Sequence, residues 1–281
     1  MEQTIIEEIR RFTAESPLNH FPDDSGPYWD EPLVGFAHVD DPLFMDYKSI
    51  IGDFHLTPRE LVAQAPEGEP WQPATVICWS LPAVRTTRES NRKESRVPSL
   101  AWSQTRSYGE QFNGALRKHI VAWLTGRGQR AVAPQFSPAW KEFADTPVGV
   151  ASTWSERHAA YAAGLGTFSL NDALITPHGI AHRLGTVITD LALTPGSRTW
   201  PDHRHNCLWY REGTCGACVG RCPVGAITKE RGHDKSRCKA YVYEELPRLV
   251  GEVYGVPATG CGLCQTKVPC EALIPRGTRH T

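Results

Sequence analysis

Eight of the nine cysteines in this 281-residue chain lie between positions 207 and 270, and no other feature narrows its possible folds so far. The ninth, Cys78, stands alone in an apolar run and reads as core packing. What the eight do depends on the compartment. The N-terminus, MEQTIIEEIRRF, reads as an amphipathic helix with acids among its apolar positions. It lacks the uninterrupted apolar stretch of a signal peptide or membrane span. Arg10-Arg11 is followed by TAESPLNHF, not by the apolar region that twin-arginine export requires. A cytoplasmic protein with no membrane association is expected, and there clustered cysteines bind metal or do catalysis more often than they form disulfides.

The spacing then selects among metals. Cys215-x2-Cys218-x3-Cys222-Pro223 is the later portion of the bacterial ferredoxin run, C-x2-C-x2-C-x3-C-P. Short spacings let a tight loop wrap one face of a cuboidal cluster, and Cys–Pro launches the next element. Glu212 occupies the place of the first cysteine, and Cys207 is the nearest one upstream. The second group, Cys261-x2-Cys264-x5-Cys270, is also stretched, and Cys238 lies between the groups. If each motif lends one ligand to the other, as in two-cluster ferredoxins, the eight divide into two sets of four. Cys207, Cys215, Cys218 and Cys270 form one set; Cys222, Cys238, Cys261 and Cys264 form the other. Two 4Fe–4S clusters are expected. Paired C-x2-C units also suit structural zinc, but zinc gives no reason for Cys–Pro followed by a turn of small apolar residues.

The rest of the chain is folded, soluble and nearly neutral. Its apolar fraction is 40%, and Lys+Arg 30 against Asp+Glu 31 excludes a protein whose main task is to coat nucleic acid. The basic run RTTRESNRKESR (85–96) reads as a solvated loop, with a local basic face as the alternative. Helices are predicted over 3–15 and 105–126, where Phe112, Leu116, Ile120 and Leu124 share a face, and over 153–166. ATVICWSL (74–81) reads as a buried strand and RAVAP (130–134) as a short one; 173–177 and 182–195 read as strands of one sheet. The mixture without a βαβ rhythm predicts an α+β class, with a boundary near 195–201 separating domains 1–200 and 201–281.

The segment before the cysteines adds a resemblance. SERHAAYAAGLGTFSLNDALITPHGIAHRLGTVITDLALTP (155–195) is similar to the corrinoid-dependent iron–sulfur reductases typified by epoxyqueuosine reductase. The matching positions are Glu156-Arg157, Ala163-Gly164-Leu165-Gly166, Asn171, Gly185 and Thr189-Asp190-Leu191, with Cys238 matching a lone cysteine between that family's two ferredoxin motifs. The resemblance covers about residues 150–270. It implies a nitroreductase-like domain that holds cobalamin, followed by a double-cluster ferredoxin-like domain. By the same resemblance the chain is an oxidoreductase fed single electrons by reduced ferredoxin or flavodoxin, with a small molecule or nucleoside as substrate.

Three departures qualify what carries over. The family's proton-donating Asp precedes the E-R pair, where this chain has Val148-Gly149-Val150-Ala151 and its nearest Asp is Asp145. The family's Lys beside Asn is Leu170. Epoxyqueuosine reductase carries a further helical-repeat region that helps hold tRNA, and this chain ends eleven residues after Cys270, so tRNA is not expected as a partner. Replacement proton donors are sought in His158 and Tyr161, three apart on one helix face, and in Tyr108. Cofactor contacts are expected from Arg157, Ser169, Asn171, Thr176 and His178, with His182 as a further histidine able to approach a metal or corrin. Two rivals stay open: an electron-transfer or reactivating protein without its own substrate, and a flavin in place of the corrin.

Overall fold

The computed structural model describes residues 1–64 and 70–277. The first part of the chain runs α1 (Glu2–Glu15), β1 (Leu33–His38), α2 (Leu43–Ile51), α3 (Pro58–Ala63), β2 (Thr75–Pro82), α4 (Arg85–Arg92) and α5 (Leu100–Thr125). It continues through β3 (Ala131–Val132), the hairpin β4 (Glu142–Phe143) and β5 (Ala151–Ser152), and α6 (Glu156–Ala162). A second hairpin, β6 (Thr167–Phe168) and β7 (Leu174–Ile175), precedes β8 (His182–Thr189).

The frame is an antiparallel sheet in the order β1-β2-β8-β3. Every residue of β2 is buried because helices cover both faces of the sheet. Alternation sends Ile77, Trp79 and Leu81 into a core with α1 and α5, and Val76 and Cys78 into a core with α2, α3 and α6. Phe112, Leu116, Ile120 and Leu124 of α5 are all 0% exposed, as their spacing predicts. Gly185 of β8 lies opposite Trp79, where a Cβ would sit 2.4 Å from the indole, so the ring can lie flat across the sheet only because that position is glycine.

Two expectations need correction. The 173–177 and 182–195 segments are not strands of one sheet: β7 pairs only with β6, and β8 alone enters the main sheet. The basic run at 85–96 is a loop only at its end: residues 85–92 form α4, where Arg92 makes a forked pair with the buried Glu271 at 2.7–2.9 Å and Asn91 bonds Thr266 at 3.1 Å. Arg88 and Arg92 are thus drawn toward the cysteine-bearing segment, while Arg85, Lys93 and Arg96 remain exposed.

The last part is built from short pieces: α7 (Leu208–Glu212), α8 (Ala217–Arg221), the hairpin β9 (Ile227–Thr228) and β10 (Gly232–His233), and α9 (Lys235–Ala240). The helix of α9 widens into π turns over Tyr241–Glu245 and Pro247–Gly251 before ending in α10 (Glu252–Tyr254). Many bonds tie it to the first part. Tyr254 donates to Pro98 O at 3.0 Å, Ser107 to Ala258 O at 2.6 Å, and Ile180 N–H to Cys270 O at 2.9 Å. Among the described residues no helix is long and apolar enough to cross a membrane.

Candidate functional site

All nine cysteines are free thiols, and eight of them line two neighbouring cavities in two groups of four. Cys207, Cys215, Cys218 and Cys270 face a small hollow of about 20 Å³. Its other walls are apolar, among them Ile175, Ile180, Trp209 and Val268. Cys222, Cys238, Cys261 and Cys264 face a larger cavity of about 520 Å³ that opens between the sheet's β8 end and the cysteine-rich segment. The cavities divide the cysteines into the same two groups of four that the spacings suggested. Cys218 lies within α8 and Cys222 caps its C-terminus, while Ile180 N–H, just past the Thr176–Gly179 turn, bonds Cys270 O at 2.9 Å. Gly179 is essential to that turn, with φ +83 and a Cβ position only 2.3 Å from Glu271 O.

Burial pushes the thiols of Cys218 and Cys261 up to about 12 and raises Cys264 and Cys270 as well. Without a metal they therefore stay protonated at neutral pH, and loading a metal must release protons.

Asn171 lines both cavities, and its Nδ2 donates to Cys264 O at 3.0 Å. Ser169 lines the small one and donates to Asn171 Oδ1 at 2.5 Å, so it orients the amide. Arg157 lines the large cavity and donates to Asp172 O at 2.8 Å, not to a carboxylate. His182 lines it too: Nε2 bonds Leu174 O at 2.7 Å, which leaves Nδ1 as a buried acceptor without a partner. Burial holds its pKa down at about 4, so the ring is neutral at pH 7.

The other expected residues are placed elsewhere. His158 and Tyr161 do share a face of α6, but that face turns into the core: His158 bonds Ser155 Oγ at 2.7 Å and packs against Tyr47 and Phe168, and Tyr161 also meets Phe168. Tyr108 donates to Gly255 O at 3.2 Å and so ties α5 to the end of α10. Thr176 and His178 build the turn at 176–179 and reach neither cavity, because Thr176 Oγ1 is engaged with Gly179 O and the His178 N–H. Asp145 is exposed on the β4–β5 connection, whereas Val150 reaches the cavity wall.

Sequence reading missed Arg106, Tyr243, Lys235 and Arg183 on the cavity wall. One signal was present. Arg106, Glu110, Asn113 and Arg117 recur at helical spacing on α5, opposite to what an apolar buried helix needs. They form a polar row in which Asn113 and Arg117 are buried and Arg106 and Glu110 half-buried. Arg117, 2% exposed, pairs with Glu110 at 3.1 Å and Glu156 at 2.8 Å, and Glu110 pairs with Arg183 at 2.7 Å. Burial opposes ionisation of Glu110, but the surrounding arginines outweigh it and hold the carboxyl at about 2.

No family model matches the chain. Epoxyqueuosine reductase of Gloeobacter violaceus is 29% identical over 215 residues, which is 74% of this chain and 59% of that protein. The Synechocystis enzyme is 31% identical over 191 residues, 65% of this chain and 57% of that protein. The chain is thus similar in sequence to epoxyqueuosine reductases. It spans less than two thirds of the length of these relatives. The fold agrees: a crystal structure of selenomethionine-labelled epoxyqueuosine reductase superposes with TM-score 0.54 at 19% identity, over 96% of this chain and 65% of that one. An epoxyqueuosine reductase with a modified tRNA-Tyr stem loop gives 0.52 at 19% identity, over 96% and 65%. A reductive dehalogenase described for B12-dependent dehalogenation gives 0.51 at 17%, over 93% and 35%. In this chain both residues of the E-R pair line the large cavity, Glu156 while paired with Arg117 and Arg157 while bonded to Asp172 O.

Proposed function

We propose that this chain is a cytoplasmic oxidoreductase that carries single electrons through two 4Fe–4S clusters to a cobalamin-type cofactor in the large cavity, there reducing a small molecule or nucleoside. The observation that supports it best is the segregation of the eight cysteines, four to each of two adjacent hollows, with Asn171 shared between them. Residues 1–200 form the cofactor and substrate domain and 201–281 a double-cluster ferredoxin-like domain. Reduced ferredoxin or flavodoxin supplies the electrons.

The residues present fit these groups. Eight free thiols supply two complete ligand sets. The large cavity has room for a planar macrocycle, hydrogen-bonding groups on its wall, and one cysteine set at its floor. A bound corrin would supply the reductive chemistry itself. The protein's share is to hold, orient and protonate. Arg157 and Lys235 offer donors to carboxamides or phosphate, and His182 Nδ1 offers an acceptor. Tyr243, whose hydroxyl meets Arg106 Nη2 at 3.3 Å on the cavity wall, is our proton donor in place of the family's Asp, with the guanidinium stabilising the phenolate left behind.

A cavity of this size beside one cysteine set favours an enzyme with its own pocket over an electron-transfer protein without one. Anaerobic reconstitution with iron, sulfide and cobalamin, followed by gel filtration, is the test. Cobalamin should co-migrate with the protein; if it elutes separately, the corrinoid reading fails. The absorbance spectrum of the purified protein separates corrin from flavin. An electrophoretic titration with a tRNA stem loop checks the substrate assignment, and tight binding would overturn the small-molecule reading.

A further inference from the structure

Arg106 brings a charge to the wall of the large cavity that the fold leaves without a counter-ion. Its stem crosses Gly260, where a Cβ would meet Arg106 Cγ at 2.8 Å, so the side chain reaches the wall beside the loop of Cys261. Among the described residues its one polar partner is the Tyr243 hydroxyl, which meets Nη2 at 3.3 Å, and no carboxylate lies within 4.0 Å of it. A guanidinium has five N–H donors, so most of its hydrogen-bonding capacity is unused.

The carboxylates on and behind the same wall are engaged elsewhere. Glu110, one turn further along α5, gives Oε1 to Arg117 at 3.1 Å and Oε2 to Arg183 at 2.7 Å. Glu156 is forked onto Arg117 at 2.8–3.1 Å, Glu142 takes Lys239 at 2.6 Å, and Asp172 lies 3.3 Å from His233. Arg106, Arg117 and Arg183 thus stand against Glu110 and Glu156, and the cation left over is Arg106. The Arg183 charge, and then burial, lower the Arg106 pKa, and Tyr243 and Glu110 offset this only in part.

The neighbouring residues also lack a partner or present a flat surface. Thr105, 3% exposed, lines the cavity, and its Oγ1 is buried with no hydrogen bond among the described residues. Leaving a buried hydroxyl unpaired is unfavourable, and a bound acceptor would relieve it. Trp102, one turn before Arg106, and Trp29, whose Nε1 donates to Gly109 O on the same helix, add aromatic faces to the lining.

We propose that the substrate taken in the large cavity is a small organic acid, its carboxylate bound by Arg106 and the Thr105 hydroxyl and its apolar body laid on Trp102 and Trp29. This rests on the reading of the cavity as a substrate pocket and narrows it to anions. A neutral nucleoside would cover Arg106 without answering its charge, whereas a carboxylate matches the fork of the guanidinium.

The test is calorimetric titration of the reconstituted full-length protein with benzoate, and with benzamide as a neutral probe of the same shape. Benzoate should bind at least about tenfold more tightly than benzamide. Arg106→Gln should abolish that preference and leave benzamide binding unchanged, and Arg106→Lys should restore part of it. Thr105→Val should weaken benzoate by a smaller factor. Equal binding of the two probes, binding of neither, or an Arg106→Gln loss shared by both would overturn the proposal. The comparison of probes uses the unaltered protein, so it decides the matter even where a substitution prevents folding. The titration is then repeated with cobalamin loaded, and benzoate should still bind. If cobalamin displaces it, Arg106 serves the phosphate of the cofactor and the substrate assignment falls. If cobalamin fails to bind while benzoate keeps its preference, the corrinoid reading falls and the anion site stands.

Discussion

The small hollow and the large cavity share a wall at Asn171 and differ in almost everything else. The hollow is closed by apolar side chains that bury one another, as in any protein core. The cavity is walled by charges that the fold must support from behind, through Arg117, Glu110 and Glu156. One region is held by packing and the other by a buried ion network. The hollow has too little space to hold more than the group its cysteines grip. The cavity, about 520 Å³, leaves room beside its four cysteines.

The comparison is broken most directly at the ligands. Cys207, 8% exposed at the start of α7, is separated from Cys215 by a stretched spacing, yet it lines the hollow. Cys207→Ser should cost about half of the bound iron, read by chelation after reconstitution, and Cys264→Ser should cost the other half. Iron unchanged in either variant removes that residue from its set and dissolves the division into two regions.

Next in size is the support of the cavity wall. Arg117→Met leaves Glu156 and Glu110 without their buried partner and should destabilise the protein by about 3–5 kcal/mol in urea unfolding. A double variant that also replaces Glu156 by Gln should recover part of that loss, since the penalty lies mainly in the unpaired charge. In the hollow the corresponding probe is Ile180, 0% exposed and packed beside Cys207 and Cys270. Ile180→Ala should cost about 2–4 kcal/mol with no dependence on salt, as a cavity defect does. A salt-dependent loss at Ile180, or none at Arg117, would reverse the assignment of packing to one region and charge to the other.

Much of this was legible in the sequence wherever a short-range pattern carried the information. The α5 stripe of Phe112, Leu116, Ile120 and Leu124 and the burial of Cys78 in β2 follow from periodicity. The spacing and count suggested the same two groups of cysteines that line the two cavities. What was not legible depends on which way an element turns. His158 and Tyr161 were placed correctly on one face of α6, but three-residue spacing does not say whether that face meets a cavity or a core, and Phe168 and Tyr47 decide it. The run at 85–96 looked solvated because its partner, Glu271, is distant in sequence. Arg106 and Lys235 reach the same cavity from α5 and α9, and no local motif joins them.

The smallest expected effect tests the same contrast through pH. His55, 1% exposed, receives the Ser155 N–H on Nε2 at 3.2 Å, and its Nδ1 has no partner. Burial holds it at about 4, as it does His182 on the cavity wall. An unfolded chain would titrate both near 6.5. Above that value both states are neutral and the histidines leave stability unchanged. As pH falls from about 6.5 to about 4 the unfolded chain takes up protons that the folded chain refuses, so stability drops through this window and levels off below it. Each ring should account for at most about 3 kcal/mol. Urea midpoints at pH 7 and pH 5 should therefore differ, and His55→Gln should remove part of the difference. The apolar hollow contains no titratable group in this window, so Ile180→Ala should lower the midpoint equally at both pH values. A pH-dependent Ile180→Ala effect would mean that the two regions unfold as one and that their separation is geometric only.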